Sequence, residues 1–274
     1  MAFDQKKFER AMGHAVAAFN DNHLDVAAEV CMGILQEMPL YPAAHQLLAV
    51  IFLNQHQVVA ADHHIRCSLQ ARPDHVPTLL TAGKVARARQ DLVGASRYFD
   101  RAVALAPSEA EPLYLRGLVL LEQGQLAGAV EVLGRLVQSY PLHAQGWCGL
   151  GSALHQSGLL HKASAALERS TQLQPEYADA WFNLGLVRQD TREFSAAAAA
   201  FRTALRYHPG YAEAAVNLGI VLQQLGAMDD AIGAYCQAYQ LRTDTFGRIA
   251  NALTSGPCGR LWLDLNALRH LLAA

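Results

Sequence analysis

Twelve histidines and five cysteines are the side chains best suited to chemistry in this 274-residue sequence. The cysteines, Cys31, Cys67, Cys148, Cys236 and Cys258, are odd in number and form no CxxC pair. That argues against a disulfide framework and against a thiolate zinc site, and it favours a reducing compartment. The densest histidine group is Asp62-His63-His64, with His56 and His75 close by. Adjacent residues of a helix do not share a face, so His63 and His64 are poorly placed to hold one ion. These histidines read as surface or internally satisfied side chains. No HExxH or GxSxG constellation is present, and Ser255-Gly256-Pro257-Cys258-Gly259 lacks the lysine and spacing of a phosphate-binding loop. The sequence therefore predicts no catalytic residue, no metal, no cofactor and no enzyme activity by the chain alone.

A second set of residues is spaced for recognition. Asn183, Asn217 and Asn251 lie 34 residues apart. A carboxamide carries one acceptor and two donors, so it can pair with main-chain N–H and C=O groups of any sequence. Around these positions the sequence places Phe182, Leu186, Val216 and Ile220, and at corresponding places further upstream Leu80, Tyr114 and Leu118. Glu9, Glu111, Asp179 and Glu213 precede them by one turn. Such an acidic edge suits basic or backbone-donor ligands, and equally suits the N-terminus of a helix.

The elements that position these residues come from a repeat. Apolar residues make up 52% and charged residues 17% of the chain, which excludes disorder as its main state. A formal net charge of −2 gives no general attraction to nucleic acid or anionic membrane. Alanine, at 48 residues, favours close-packed helices. Pro39, Pro73, Pro107, Pro141, Pro175 and Pro209 recur every 34 residues and define seven blocks without insertion: 8–41, 42–75, 76–109, 110–143, 144–177, 178–211 and 212–245. Position 20 of each block is alanine in all seven, which chance would give about five times in a million. Position 8 is always alanine or glycine. Within a block, positions 4, 7, 8 and 11 and then 17, 20, 24, 27 and 28 follow helical spacing. A short polar turn, as at Gln123-Gly124-Gln125, separates the two helices, and the repeating proline ends the second. Each pair leaves an apolar face uncovered, so the pairs must stack.

In segments such as AWFNLGLVRQDTREFSAAAAAFRTALRYHPGY (180–211) the pattern resembles the tetratricopeptide repeat (TPR) family. The resemblance implies an all-α, right-handed superhelical solenoid of seven helix-turn-helix repeats whose concave groove is lined by the first helix of each pair. It implies a protein or peptide partner. The three asparagines look like the asparagine ladder in the repeat region of O-GlcNAc transferases, although asparagine at this position also has a purely structural reading. Departures from the family pattern are His14, Arg116 and Arg188 at positions normally apolar, and Thr243 where a proline is expected. The lysine-rich carboxylate clamp of cochaperones is not matched.

The ends differ. Residues 1–7 extend the first helix, with Asp4 as a candidate N-cap, and the N-terminus reads as an amphipathic helix instead of a secretory leader. Residues 246–274 read as C-terminal capping helices, the last carrying Leu261, Leu265, Leu268 and Leu272 with Trp262 beside it. The other reading of that helix is a docking element for a homo-oligomer. No stretch reaches the roughly 18 apolar residues of a membrane span, so the expected location is cytoplasmic. The expected function is a non-catalytic interaction scaffold binding an extended peptide through Asn183, Asn217, Asn251, Phe182, Leu186, Val216, Ile220, Tyr114 and Leu118. The alternatives are a self-assembling structural scaffold and an accessory subunit that presents substrate to a separately encoded transferase.

Overall fold

The computed structural model describes residues 2–255 and 265–273, and among these every regular element is helical. The chain divides into two compact units, Met1–Gln125 and Leu126–Ala274. The first contains α1 (Ala2–Asn20), α2 (Leu24–Glu37), α3 (Pro42–Asn54), α4 (Val58–Ala71), α5 (Val76–Ala88), α6 (Leu92–Leu105) and α7 (Ala110–Glu122). The second contains α8 (Leu126–Ser139), α9 (Ala144–Gln156), α10 (Leu160–Leu173), α11 (Ala178–Asp190), α12 (Phe194–Tyr207), α13 (Ala212–Gln224) and α14 (Met228–Leu241). A 3-10 turn (Thr243–Thr245), α15 (Phe246–Ser255) and α16 (Leu265–Ala273) follow. Within each unit, helices consecutive in the chain pack on each other, and each first helix also touches the next first helix.

The turn inside each block has one solution throughout. Position 15 has positive φ in all seven blocks: Asn22, His56, Gln90, Gly124, Gly158, Arg192 and Gly226. The following N–H then reaches back to the carbonyl five residues earlier, as in Asp91 to Ala86 (2.9 Å) and Glu193 to Arg188 (2.8 Å). This is the Schellman closure of a helix end, and it satisfies a carbonyl that the first helix leaves free.

Small and large residues interlock between the two helices of a pair. A Cβ on Gly185 would come 2.5 Å from the ring of Phe201, and one on Gly151 would come 2.5 Å from the Cγ of Leu167. Gly83 faces Phe99 and Gly219 faces Tyr235 in the same way. Position 8 is small because position 24 occupies the space a side chain would need. Polar side chains brace the joints between pairs. Trp147 Nε1 donates to Pro141 O (2.9 Å) and Trp181 Nε1 to Pro175 O (2.7 Å). Ser68 Oγ donates to Pro42 O and Ser170 Oγ to Ala144 O.

Two of the polar departures have partners, whereas His14 is exposed. Arg116 on α7 pairs with Asp100 on α6, and Arg188 on α11 reaches Glu168 on α10 at 3.5 Å. In the second unit α16 packs on α14, with Leu268 and Leu272 buried and Leu265 exposed. Gln223 ties three helices together: its Nε2 donates to Ala252 O, and its Oε1 accepts from Tyr235 OH. Leu261, Trp262 and the Gly256–Gly259 stretch lie outside the described residues.

Candidate interaction site

The first helices present positions 2, 5, 6 and 9 of each block along one side, because i, i+3, i+4 and i+7 share a helix face. On α11 these residues are Asp179, Phe182, Asn183 and Leu186. Asp179 is exposed and the other three are half-buried, whereas Ala180, Leu184 and Val187 on the opposite side are buried. This face is therefore only partly covered by the fold. Phe182 lies against Tyr211, with ring centroids 4.7 Å apart, and also against Phe201 at 5.9 Å. The Tyr211 hydroxyl is near enough to Asp179 to feel its carboxylate. Burial, then the Asp179 carboxylate, then the charge of Glu213 push the Tyr211 hydroxyl pKa up from its ordinary value. Asp179 has no cationic partner among the described residues, whereas Glu213 is paired with Arg242 at 2.5 Å.

The three asparagines are not equivalent. Asn183 is half-buried and its Nδ2 donates to Cys148 Sγ on α9 at 3.4 Å, which leaves its carbonyl oxygen as the group on offer. Asn217 is 6% exposed, and its Nδ2 donates to its own helix at Glu213 O (2.8 Å). Asn251 is exposed. Val216 is fully buried in the core that also contains Phe201, Tyr235, Ile249 and Leu268, whereas Ile220 is half-buried. Val216 thus presents no surface in the folded unit and Asn217 very little. Burial pushes the Cys148 thiol up to about 11, so it stays protonated, and the hydrogen bond from Asn183 opposes the shift only in part. Periodicity pointed to Asn183 but not to Cys148 or Tyr211, which sit on neighbouring segments. The acidic residue at position 2 was the one available signal for Asp179.

In the first unit, Tyr114 and Leu118 are half-buried on α7, and Leu80 on α5 is 6% exposed. The first unit also carries a cleft of about 640 Å³ lined by Leu53, Lys84, Arg87, Ala88, Gln90, Leu92 and Glu122. Its charges are paired: Lys84 with Glu111 (2.7 Å) and Arg87 with Glu122 (2.6 Å).

The histidines form a pair that sequence spacing did not indicate. His45 Nε2 lies 2.9 Å from Pro39 O, so it must donate there and its Nδ1 must accept. His64 Nδ1 lies 2.9 Å from that Nδ1 and supplies the proton. Phe52 stacks on the His64 ring at 5.4 Å, and His63 meets its edge at 5.2 Å. Burial, then the charges of His45 and His63, hold the His64 pKa down to about 4. Among the described residues no group of three or more His, Cys, Asp or Glu side chains could hold a metal ion, and no helix is long and apolar enough to cross a membrane.

Helix pairs in strict 34-residue register, closed by a left-handed turn and locked small-on-large, define a helical-repeat protein. A family model described as tetratricopeptide repeat matches residues 80–143, 114–166, 148–188 and 184–247, which together run without a gap over more than half the chain. The chain belongs to the tetratricopeptide repeat family. TPR proteins are generally protein-interaction scaffolds and typically non-catalytic. No curated protein matches. Among solved structures, the chain is similar to MamA (26% identity, TM-score 0.53, covering 62% of this chain and 93% of that one). It is similar to TTC0263, a thermophilic TPR protein of Thermus thermophilus (25%, 0.57, 66% and 100%). It also shares its fold with YrrB, described as a TPR protein with an unusual peptide-binding site (20%, 0.53, 68% and 96%).

Proposed function

We propose that this protein is a non-catalytic scaffold that holds an extended segment of a partner protein along the row of first helices, with α11 as a principal contact. The observation that carries the reading is the open face of Asp179, Phe182, Asn183 and Leu186, a polar and apolar mixture the fold leaves uncovered. The spacing supports it. Neighbouring helices sit about 8–10 Å apart, and three extended residues advance about 10 Å. One carboxamide per helix can therefore meet a peptide main chain every third residue. In this chain Asn183 on α11 supplies such a group, and Asn217 on the next first helix belongs to the core. The peptide-binding description of YrrB is a parallel at the level of fold. A reducing, cytoplasmic setting suits Cys31, Cys67, Cys148 and Cys236, all free thiols.

The test is selection of binders from a random peptide library displayed on phage, followed by affinity measurement on single variants. Leu186→Ala and Asn183→Ala should each weaken the selected peptides. The hydrogen bond lost at Asn183 is worth about 0.5–1.5 kcal/mol. Binders that compete with nothing on α11 and tolerate both changes would refute the proposed face.

A further inference from the structure

We infer that the α11 face selects a partner segment carrying a basic side chain, lysine or arginine, with its charged head at Asp179 and its aliphatic stem across Phe182 and Leu186. This rests on the peptide-scaffold reading above and names the chemistry of the partner. The argument begins with charge. Asp179 is exposed on the open face and no cation of the described residues pairs with it, while Glu213, at the equivalent place on α13, is matched by Arg242. Asp244 also binds Arg242 (2.7 Å), so the guanidinium is shared between two carboxylates and has little charge left for a third. Tyr211, the aromatic neighbour of Phe182, interacts with Asp179 through a neutral hydroxyl, which leaves the charge of the carboxylate uncompensated.

Geometry supplies the rest. Phe182 lies one helical turn from Asp179, and Leu186 one turn further along the same face, so the apolar wall starts beside the carboxylate. Lysine and arginine bury their methylene stems on such a wall while their heads stay hydrated or paired. Asn183 stands between the two contacts with its carbonyl oxygen uncommitted, placed to accept a main-chain N–H of the same segment. An acidic side chain would meet Asp179 with like charge, and a neutral one would leave it as it stands.

The experiment uses three fluorescein-labelled heptapeptides of alternating alanine and leucine whose central residue is arginine, glutamine or glutamate. Binding to the full chain is read by fluorescence anisotropy at low and at physiological salt. The arginine peptide should bind about fivefold more tightly than the glutamine peptide, the upper range for an exposed ion pair, with the glutamate peptide weakest. In Asp179→Asn the arginine preference should disappear while glutamine-peptide affinity is kept. Asp229→Asn, an exposed carboxylate on α14, should leave the preference intact. Equal binding of arginine and glutamine peptides would overturn the basic-segment inference and leave the scaffold reading standing. A preference that survives Asp179→Asn would overturn it as well. Failure of all three peptides to bind would remove both.

Discussion

The two units present the same helix face with opposite chemistry. In the first, the charges beside the cleft are internally matched: Lys84 with Glu111 and Arg87 with Glu122. In the second, Asp179, beside Tyr211 and one turn from Phe182, has no cation paired with it among the described residues. The supporting frame does not differ. Gly83 lies against Phe99 as Gly185 lies against Phe201, and Gln90 takes the same left-handed turn as Arg192. The frame in both units rests on positions 8, 15, 20 and 24 of each block, whereas positions 2, 5, 6 and 9 change in chemistry and in burial from block to block.

That separation of roles can be broken first at the frame. Phe99→Ala and Phe201→Ala each empty a fully buried ring site against a glycine, where no neighbouring Cβ can move in to fill the void. Each should cost about 3–5 kcal/mol, read from urea unfolding. Similar losses in the two units would support a shared frame, and a loss in one only would show that the glycine–aromatic lock is not equivalent. Binding at α11 should fall in Phe201→Ala, because Phe182 rests on that ring, and should persist in Phe99→Ala.

A second contrast is acid sensitivity. The pKa of His64 is lower in the folded chain than in the unfolded chain, where the ordinary value is 6.5. The neutral pair with His45 therefore stabilises the first unit fully above pH 6.5, and that contribution is lost as pH falls toward about 4. His75 in the first unit and His143 in the second shift the same way, both mainly by burial. Replacing His64 by phenylalanine should flatten the fall in urea midpoint between pH 6.5 and 4.5. Hydrogen exchange should place the change in α3 and α4. An unchanged slope in this variant would mean that the histidine pair does not carry the acid response.

How much of this the sequence revealed depended on what periodicity encodes. The repeat fixed the helix pairs, the turns and the small-on-large packing, because each is set by residues within one 34-residue block. Three non-glycine residues in one unit, Asn22, His56 and Gln90, adopt the turn that glycine marks at Gly124, so even the turns without glycine followed from register. The site was only partly legible. Helical spacing says which way a side chain leaves its own helix, not what the next element lays over it. Val216 and Asn217 point the same way as Phe182 and Asn183, yet they are covered where the α11 residues are not. His45 took the place that Trp147 and Trp181 hold in later blocks, each bonding the carbonyl of the preceding proline. That substitution is what left His45 Nδ1 facing His64, and only a comparison of blocks at position 4 could have suggested it.

The turn residues give a smaller and more uniform effect. An L-residue at positive φ carries a steric cost that glycine avoids. Gln90→Gly in the first unit and Arg192→Gly in the second should therefore each stabilise the fold, by about 0.5–1 kcal/mol once the added flexibility of the unfolded chain is counted. Gly158→Ala should lose a similar amount. A gain in one unit and a loss in the other would separate frames that otherwise match.

The smallest expected effect concerns the ion pairs along the first helices. Arg87 to Glu122 in the first unit and His155 to Asp190 in the second join the same two block positions, 35 residues apart, at 2.6 and 2.7 Å. One joins permanent charges and the other involves an imidazole, which is a full cation only at low pH. Glu122→Gln should cost about 0.2–1 kcal/mol and should cost less at high salt. Its effect should hold steady from pH 8 to pH 6. Asp190→Asn should cost less and should change less with salt, because His155 meets the carboxylate through a hydrogen bond. Thermal melts of the two variants at low and at high salt separate the cases, because a parallel salt response would mean that the two contacts are held in the same way.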